Sequence, residues 1–285
     1  MRRDHQSAYD DVTTGRCERA LVTLLGDIGP WGERIYLVGG LAPRYIVGTF
    51  PGGVAPHVGT TDVDLVIGLA LGDDSPETYR TLANNLKTSG FTAEMSFRWK
   101  RSVDGVAVTV EFLCETDEVE PGKIFRPRAD AGSALGAFNV RGAQLVTRDY
   151  LSRAVEADRL DGGGLSRVDV RVANILSYTV LKILAFQDRH ENKDAYDLVY
   201  CLLNFGDGPE DAGRSASVSP IRDEPQVHDA MGLLGERFAA VTHDGPIAYG
   251  AFLAGIDDEE GAARLRQEAV AVVREFLRGL AGATP

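Results

Sequence analysis

In the first half of the chain the apolar positions switch repeatedly between helical and strand spacing. Ala20, Leu21, Leu24 and Leu25 recur at helical intervals and predict a helix over about 16–28, which Gly29 to Gly32 breaks. Ile35 to Val38 reads as a short apolar strand, and Gly39-Gly40 then turns the chain into one or two helical turns over Leu41 to Val47. Gly48 to Gly59 carries four Gly and two Pro and reads as a loop. Val63 to Leu69 predicts a strand, Ser75 to Lys87 a helix, and Phe91 to Trp99 and Val106 to Cys114 two strands joined as a hairpin through Val103-Asp104-Gly105. A further strand is expected near Gln144 to Val146.

Asp161-Gly-Gly-Gly164 is the expected domain boundary, giving domains 1–162 and 163–285. Beyond it the apolar period lengthens to between three and four, and the second half is expected to be helical. Helices are expected over Val168 to Gln187, Lys193 to Leu203, Gln226 to Ala240 and Glu259 to Leu280. Asn204 to Val227, rich in Gly, Pro and Ser, reads as a mobile surface loop. The pattern is that of an α+β protein.

Composition narrows the class. The 285 residues are 44% hydrophobic and 25% charged, ordinary globular values that exclude disordered and fibrous polymers. Thirty Lys and Arg against 42 Asp and Glu give a net charge of −12, so a nucleic acid would have to bind a local basic patch. The candidates are Arg98, Lys100 and Arg101, and Lys123, Arg126 and Arg128. The three cysteines lack CxxC spacing and the five histidines lack ligand spacing, so neither a disulfide framework nor a structural zinc site is expected. No stretch is long and apolar enough to span a bilayer and no apolar run follows Arg2 and Arg3; a soluble, cytoplasmic protein without membrane contact is expected.

The chemistry is concentrated in Thr60-Thr61-Asp62-Val63-Asp64. Side chains alternate across a strand, so Asp62 and Asp64 share a face, with Cα atoms about 6.6 to 7 Å apart. Carboxylates so placed repel unless a cation lies between them, and hard divalent ions are the usual partners. Val38-Gly39-Gly40 ends a strand and opens a short helix, an arrangement whose N–H groups hold phosphates. In the strand Val106 to Cys114, Glu111 sits among apolar residues and needs exposure or a cation; it becomes a third carboxylate if this strand neighbours that of Asp62.

A strand, a glycine turn, an Asp-x-Asp strand and a later third carboxylate resemble the nucleotidyltransferase superfamily related to DNA polymerase β. Downstream, Lys182-Ile-Leu-Ala-Phe-Gln-Asp-Arg189 followed by Lys193-Asp194-Ala-Tyr-Asp197-Leu198 resembles the Lys...Arg...Lys/Arg-Asp-x-x-Asp-Leu motif of its AbiEii-type branch, which includes abortive-infection and toxin–antitoxin enzymes. The resemblance implies a nucleotidyltransferase core with a small mixed sheet flanked by helices, and a C-terminal helical domain closing the cleft. It implies transfer of an NMP from an NTP to a hydroxyl acceptor, with two Mg²⁺ ions, or Mn²⁺, on Asp62, Asp64 and Glu111. Gly39, Gly40, Lys182 and Arg189 would bind the nucleotide, and Asp194 and Asp197 join the catalytic set. The family often has Gly-Ser where this chain has Gly39-Gly40, so a hydroxyl contact to the nucleotide phosphate is either missing or supplied by Thr60 or Thr61. Implied partners are tRNA, other RNA or a protein as acceptor, with a small molecule such as an aminoglycoside also open, and a regulator from a neighbouring gene.

Lys182 also falls in the apolar stripe of its helix, where a cation needs an anion. It either reaches phosphates or pairs internally with Asp194 or Asp197. One straight helix would hold Lys182 and Asp197 about 22 Å apart, but the polar run Asp188 to Asn192 permits a break that brings them together. His57 is open between a substrate contact and an ordinary loop residue. A non-catalytic, antitoxin-like module binding nucleotide or a partner protein is the alternative to an enzyme.

Overall fold

A computed structural model describes residues 5–48, 55–68, 76–126, 135–160, 162–255 and 257–282. Leu69, Ser75, Arg128 and Asp161 lie outside these residues. The chain is α+β and divides into two units: Tyr9–Ala42 with Gly59–Ala173, and Met1–Ala8 with Pro43–Val58 and Asn174–Pro285. The main division therefore falls after Ala173 and not after 162, because the strand ending at Ala173 is hydrogen-bonded into the sheet.

The first unit is built on a mixed, open sheet. Its strands are β1 (Ile35–Val38), β2 (Asp62–Ile67), β3 (Thr92–Ala93), β4 (Arg98–Val103), β5 (Val106–Cys114), β6 (Ile124–Phe125), β7 (Ala137–Asn139), β8 (Tyr150–Asp158) and β9 (Leu165–Ala173). The main order is β3-β4-β5-β2-β1-β9-β8, with β7 pairing β5 and β6. β2 runs antiparallel to β1 and parallel to β5, while β1 runs parallel to β9. Among the described residues this unit has two α-helices, α1 (Asp11–Asp27) and α3 (Pro76–Thr88). Asp10 caps α1 by accepting the Thr13 N–H at 2.6 Å. Cys17, Ala20, Leu21 and Leu24 form its fully buried face, which contacts β5, β8 and β9; each buried leucine stabilises by roughly 1.5–3 kcal/mol.

Three sequence expectations for this unit are corrected. Phe91 to Trp99 is not one strand: the Glu94 and Met95 N–H groups both donate to the Arg98 carbonyl, closing a tight turn between β3 and β4. Gln144 to Val146 lies in a 3-10 turn, Ala143–Thr147. The helix expected from Val168 starts later, because Val168, Val170 and Val172 alternate as strand β9, paired with β8 from Asp158↔Leu165 to Tyr150↔Ala173. Gly162 to Gly164, in the run read as the domain boundary, lie in the connection between β8 and β9.

The second unit is helical: α2 (Pro43–Ile46), α4 (Ile175–Arg189), α5 (Asn192–Asn204), α6 (Pro209–Ser217), α7 (Pro225–Arg237), α8 (Asp244–Leu253) and α9 (Glu259–Ala281). Asn174 caps α4 by accepting the Ile175 N–H, and α4 ends at His190, whose φ of 52° is left-handed. The chain then reverses into α5. Asn204 to Val227 is not a loop: α6 starts with Pro209 in its first turn and buries Ala212 and Ala216. α8, with Ala248, Tyr249 and Phe252 buried, is a helix the sequence pattern did not mark. Among the described residues no helix is long and apolar enough to cross a membrane.

Candidate functional site

In the sheet unit, β2 and β5 pair in parallel with Asp62↔Thr109 and Asp64↔Glu111. Partners in a ladder project to the same side, so Asp62, Asp64 and Glu111 stand on one face. β2 inserts between β1 and β5, and its alternate residues Val63 and Leu65 are fully buried on the other face. That burial fixes the register, because a one-residue slip would bury both carboxylates and expose the valine and leucine.

Asp62 and Asp64 are each braced by backbone-defined neighbours. The Thr60 hydroxyl donates to Asp62 Oδ1 at 2.7 Å, and Thr60 is itself buried. Its N–H donates to Thr14 Oγ1 of α1 at 3.1 Å. Thr61 is half-buried. Val38↔Asp64 is the last pair of the β1–β2 ladder, and the next residue, Gly39, has φ +66°. A Cβ on Gly39 would overlap the Asp64 carboxylate, so both the left-handed backbone and the close approach require glycine. Gly39–Leu41 is a 3-10 turn, Gly40 is buried, and the α-helix that follows is the single turn α2. An anion here would meet turn N–H groups and not the dipole of a full helix.

Glu111 has a cation of its own. Arg98 Nε donates to Glu111 Oε1 at 2.6 Å, with the Arg98 side chain 36% and the Glu111 side chain 19% exposed. The guanidinium also lies 5.4 Å from the Phe97 ring centroid. The sequence reading did not pair these two, although the hairpin contained the signal. A two-residue Asp104-Gly105 turn pairs Val103 with Val106, and stepping outward along both strands arrives at Arg98↔Glu111.

Asp62, Asp64 and Glu111 offer only carboxylate oxygens, the donor set suited to Mg²⁺ or Mn²⁺. Among the described residues no group of three His, Cys, Asp or Glu side chains converges closely enough to hold a metal ion as the side chains stand. The face thus carries fitting donors, with one of them turned to Arg98.

The helical unit carries a buried ion cluster of its own residues. The break at His190 folds α5 back on α4, as the polar run Asp188 to Asn192 permits, and Lys182 meets both acids. Lys182 Nζ lies 3.0 Å from Asp194 Oδ1 and 2.6 Å from Asp197 Oδ2, and its side chain is 7% exposed. Internal pairing is therefore the arrangement found. Arg189 grips Asp194 with two bonds of 2.6 and 2.7 Å while remaining 52% exposed. Lys193 Nζ donates to Asp197 Oδ1 at 2.7 Å. Burial alone would raise the Asp194 and Asp197 pKa values, but the attached cations hold both below the usual carboxylate range. Burial likewise opposes the charge on Lys182, and Asp197 and Asp194 more than offset it.

His57 completes this cluster, a role the sequence did not reveal. Its Nε2 lies 2.9 Å from Asp197 Oδ1, and its ring stacks on Tyr196 at 5.1 Å and meets Tyr200 edge-on at 4.9 Å. The Tyr196 hydroxyl accepts the Val58 N–H, and the Tyr200 hydroxyl donates to the Ala55 carbonyl. Residues 55–58 are thereby pinned to α5. Burial lowers the His57 pKa to about 4 against the opposing pull of Asp197, so the ring is neutral at pH 7.

No protein-family model, curated protein or solved structure matches the chain.

Proposed function

We propose that the sheet unit is the core of a nucleotidyltransferase that moves an NMP from an NTP to an acceptor hydroxyl. The observation that carries the reading is the in-register pair Asp64↔Glu111, with Asp62 on the same face and the Gly39-Gly40 turn against Asp64. The acceptor oxygen forms a bond to the α-phosphorus, the α–β phosphoanhydride bond breaks, and pyrophosphate leaves with the electron pair. Glu111 takes the hydroxyl proton at a carboxylate oxygen and releases it to water. Asp62 and Asp64, held in place by Thr60 and by the turn at Gly39, would seat the divalent cation, and the N–H groups of the Gly39-Gly40 turn meet the phosphate oxygens. Asp62, Asp64 and Glu111 would hold Mg²⁺ or Mn²⁺, which when bound neutralises charge on the triphosphate and activates the hydroxyl. Lys182 and its carboxylates serve in this proposal as the anchor of the helical unit.

The test is incubation of the protein with total tRNA and each labelled NTP, beside the double variant Asp62→Asn/Asp64→Asn. Label incorporated by the wild type should fall at least 100-fold in the variant, with an unchanged circular dichroism spectrum. Equal incorporation by both proteins refutes the mechanism.

One observation favours a second reading, a non-catalytic module that binds nucleotide or a partner protein: Arg98 already supplies Glu111 with a cation. Calorimetry with NTP, with and without Mg²⁺, separates the two, since metal-dependent binding with turnover belongs only to the enzyme.

A further inference from the structure

Strand β8 stands at one end of the sheet. It pairs with β9 from Tyr150↔Ala173 to Asp158↔Leu165, and among the described residues no strand pairs with its other edge. The rungs fix which backbone groups that edge presents. The Arg159 N–H donates to the Gly164 carbonyl at 2.9 Å, and these two residues stand opposite one another on the rung after Asp158↔Leu165. In an antiparallel ladder such hydrogen-bonded pairs alternate with pairs whose N–H and C=O groups point away from the partner. The odd-numbered residues of β8 therefore bond to β9, and Tyr150, Ser152, Ala154, Glu156 and Asp158 present their backbone groups outward. Two side chains agree with this assignment: Arg153 Nη1 donates to the Ser152 carbonyl and Arg19 Nε to the Asp158 carbonyl, both at 3.4 Å.

Proline, lysine, a bulge or a short length ordinarily keeps other strands from adding to such an edge. β8 has none of these: its nine residues, YLSRAVEAD, extend about 30 Å in an unbroken register. All five outward residues are also exposed in their side chains.

The order of side chains along this edge suits a second copy of itself. Antiparallel pairing about a two-fold axis perpendicular to the sheet keeps each face on its own side, so only residues of equal parity meet. With the axis at Ala154, every outward residue finds a counterpart: Ala154 meets its own copy, Ser152 meets the partner's Glu156, and Tyr150 meets the partner's Asp158. Each hydroxyl then faces a carboxylate that can accept its proton, and no two like charges stand directly opposite. On the other face Arg153 falls opposite the partner's Val155. An axis at Arg153 would set that cation against its own copy, and an axis at Val155 would carry Tyr150 past the end of the partner strand.

We propose that the chain forms a homodimer in which two copies of β8 pair antiparallel about Ala154 and join the two sheets into one. The five rungs exchange two backbone hydrogen bonds each, about ten in all. Ser152, Arg171, Tyr36, Val38 and Asp64 follow one another through the ladders on a single face, so the carboxylates of both copies open on the same side of the joined sheet. The dimer does not rest on the transferase reading.

The experiment is sedimentation equilibrium of the full chain over a range of micromolar concentrations, where the mass of two chains is expected. Proline is accepted where an edge N–H points to solvent, so Ala154→Pro should keep the circular dichroism spectrum while raising the dimer dissociation constant at least 10-fold. Ser152→Glu, which sets like charges opposite one another twice across the axis, should raise it at least 5-fold. The register is read with a short bifunctional thiol reagent, to which the native Cys17, Cys114 and Cys201 are buried. It should join two copies of Ala154→Cys. It should not join two copies of Asp169→Cys, at the β9 position opposite Ala154, because these lie three strand spacings apart, about 14 Å. The proposal is overturned by a monomer at every concentration, by a dimer that Ser152→Glu leaves unchanged, by open-ended assemblies that grow with concentration, or by cross-linking through Asp169→Cys and not Ala154→Cys.

Discussion

Asp64 and Glu111 are direct partners in the parallel β2–β5 ladder, so two carboxylates from segments far apart in sequence stand side by side on one face of the sheet. Like charges directly opposed destabilise a ladder. Arg98, arriving from β4 on the far side of Glu111, offsets part of that repulsion. The arrangement is costly to the sheet and lies on the face that also carries Asp62, which is the physical case for proposing a site at this point.

Gly39→Ala tests the contact on which Asp64 depends. The new Cβ meets the Asp64 carboxylate and the backbone stays left-handed, which costs about 1–2 kcal/mol for an L residue. Label transfer should fall at least 10-fold with the loss of urea stability confined to that range. Full transfer by this variant would show that Asp64 need not hold its observed position.

Arg98→Gln should tighten binding of Mn²⁺ several-fold, because it removes the guanidinium that competes for Glu111. Titration followed by electron paramagnetic resonance reads this directly. The accompanying change in unfolding free energy should stay below about 1 kcal/mol, since the ion pair is partly exposed. Unchanged or weaker Mn²⁺ binding counts against Glu111 as a ligand.

Lys182→Met leaves Asp194 and Asp197 buried without the cation they share. Breaking a buried pair in this way costs about 3–5 kcal/mol. Urea denaturation should register a loss of that size, whereas the exposed Arg264–Glu260 pair, removed by Arg264→Gln, should cost under about 1 kcal/mol. Equal effects from the two substitutions would mean that the Lys182 cluster is not dry.

His57 makes stability depend on pH in a defined window. Its pKa is about 4 in the folded protein against 6.5 for the free side chain, so between these values the unfolded chain holds a proton that the native state lacks. Stability is then full above about pH 6.5 and falls as the pH drops towards 4, by about 3 kcal/mol in total. Asp194 and Asp197, with depressed pKa values, act in the same direction below their ordinary value of 3.8. In the variant His57→Gln the slope between pH 6.5 and 4 should shrink by about one proton. Wild-type and variant slopes that coincide would exclude His57 as the titrating group.

Much of the architecture was legible wherever one physical signal dominated. Strand β1 was bounded correctly by its four apolar residues between the Gly29 to Gly32 run and Gly39. The β4–β5 turn followed from Asp104-Gly105, and α9 from its long apolar stripe. Errors arose where two signals competed. Val168, Val170 and Val172 satisfy a period of two, but the strongly apolar α4 directly after them drew the same residues into a helical period. Pro and Ser density hid α6, whose burial comes from small residues such as Ala212 and Ala216 and not from a conspicuous apolar stripe.

The sequence by itself determined that Asp62 and Asp64 share a face, because alternation in a strand is a local property of the backbone. It also determined that Lys182 must find an anion, because a cation within an apolar stripe has no water to replace one. Only the tertiary structure decided the partners: Glu111 beside Asp64, Arg98 on Glu111, and His57 on Asp197. Those pairings depend on which strands become neighbours and on where a helix reverses, and both are settled by burial summed over residues far apart in the chain.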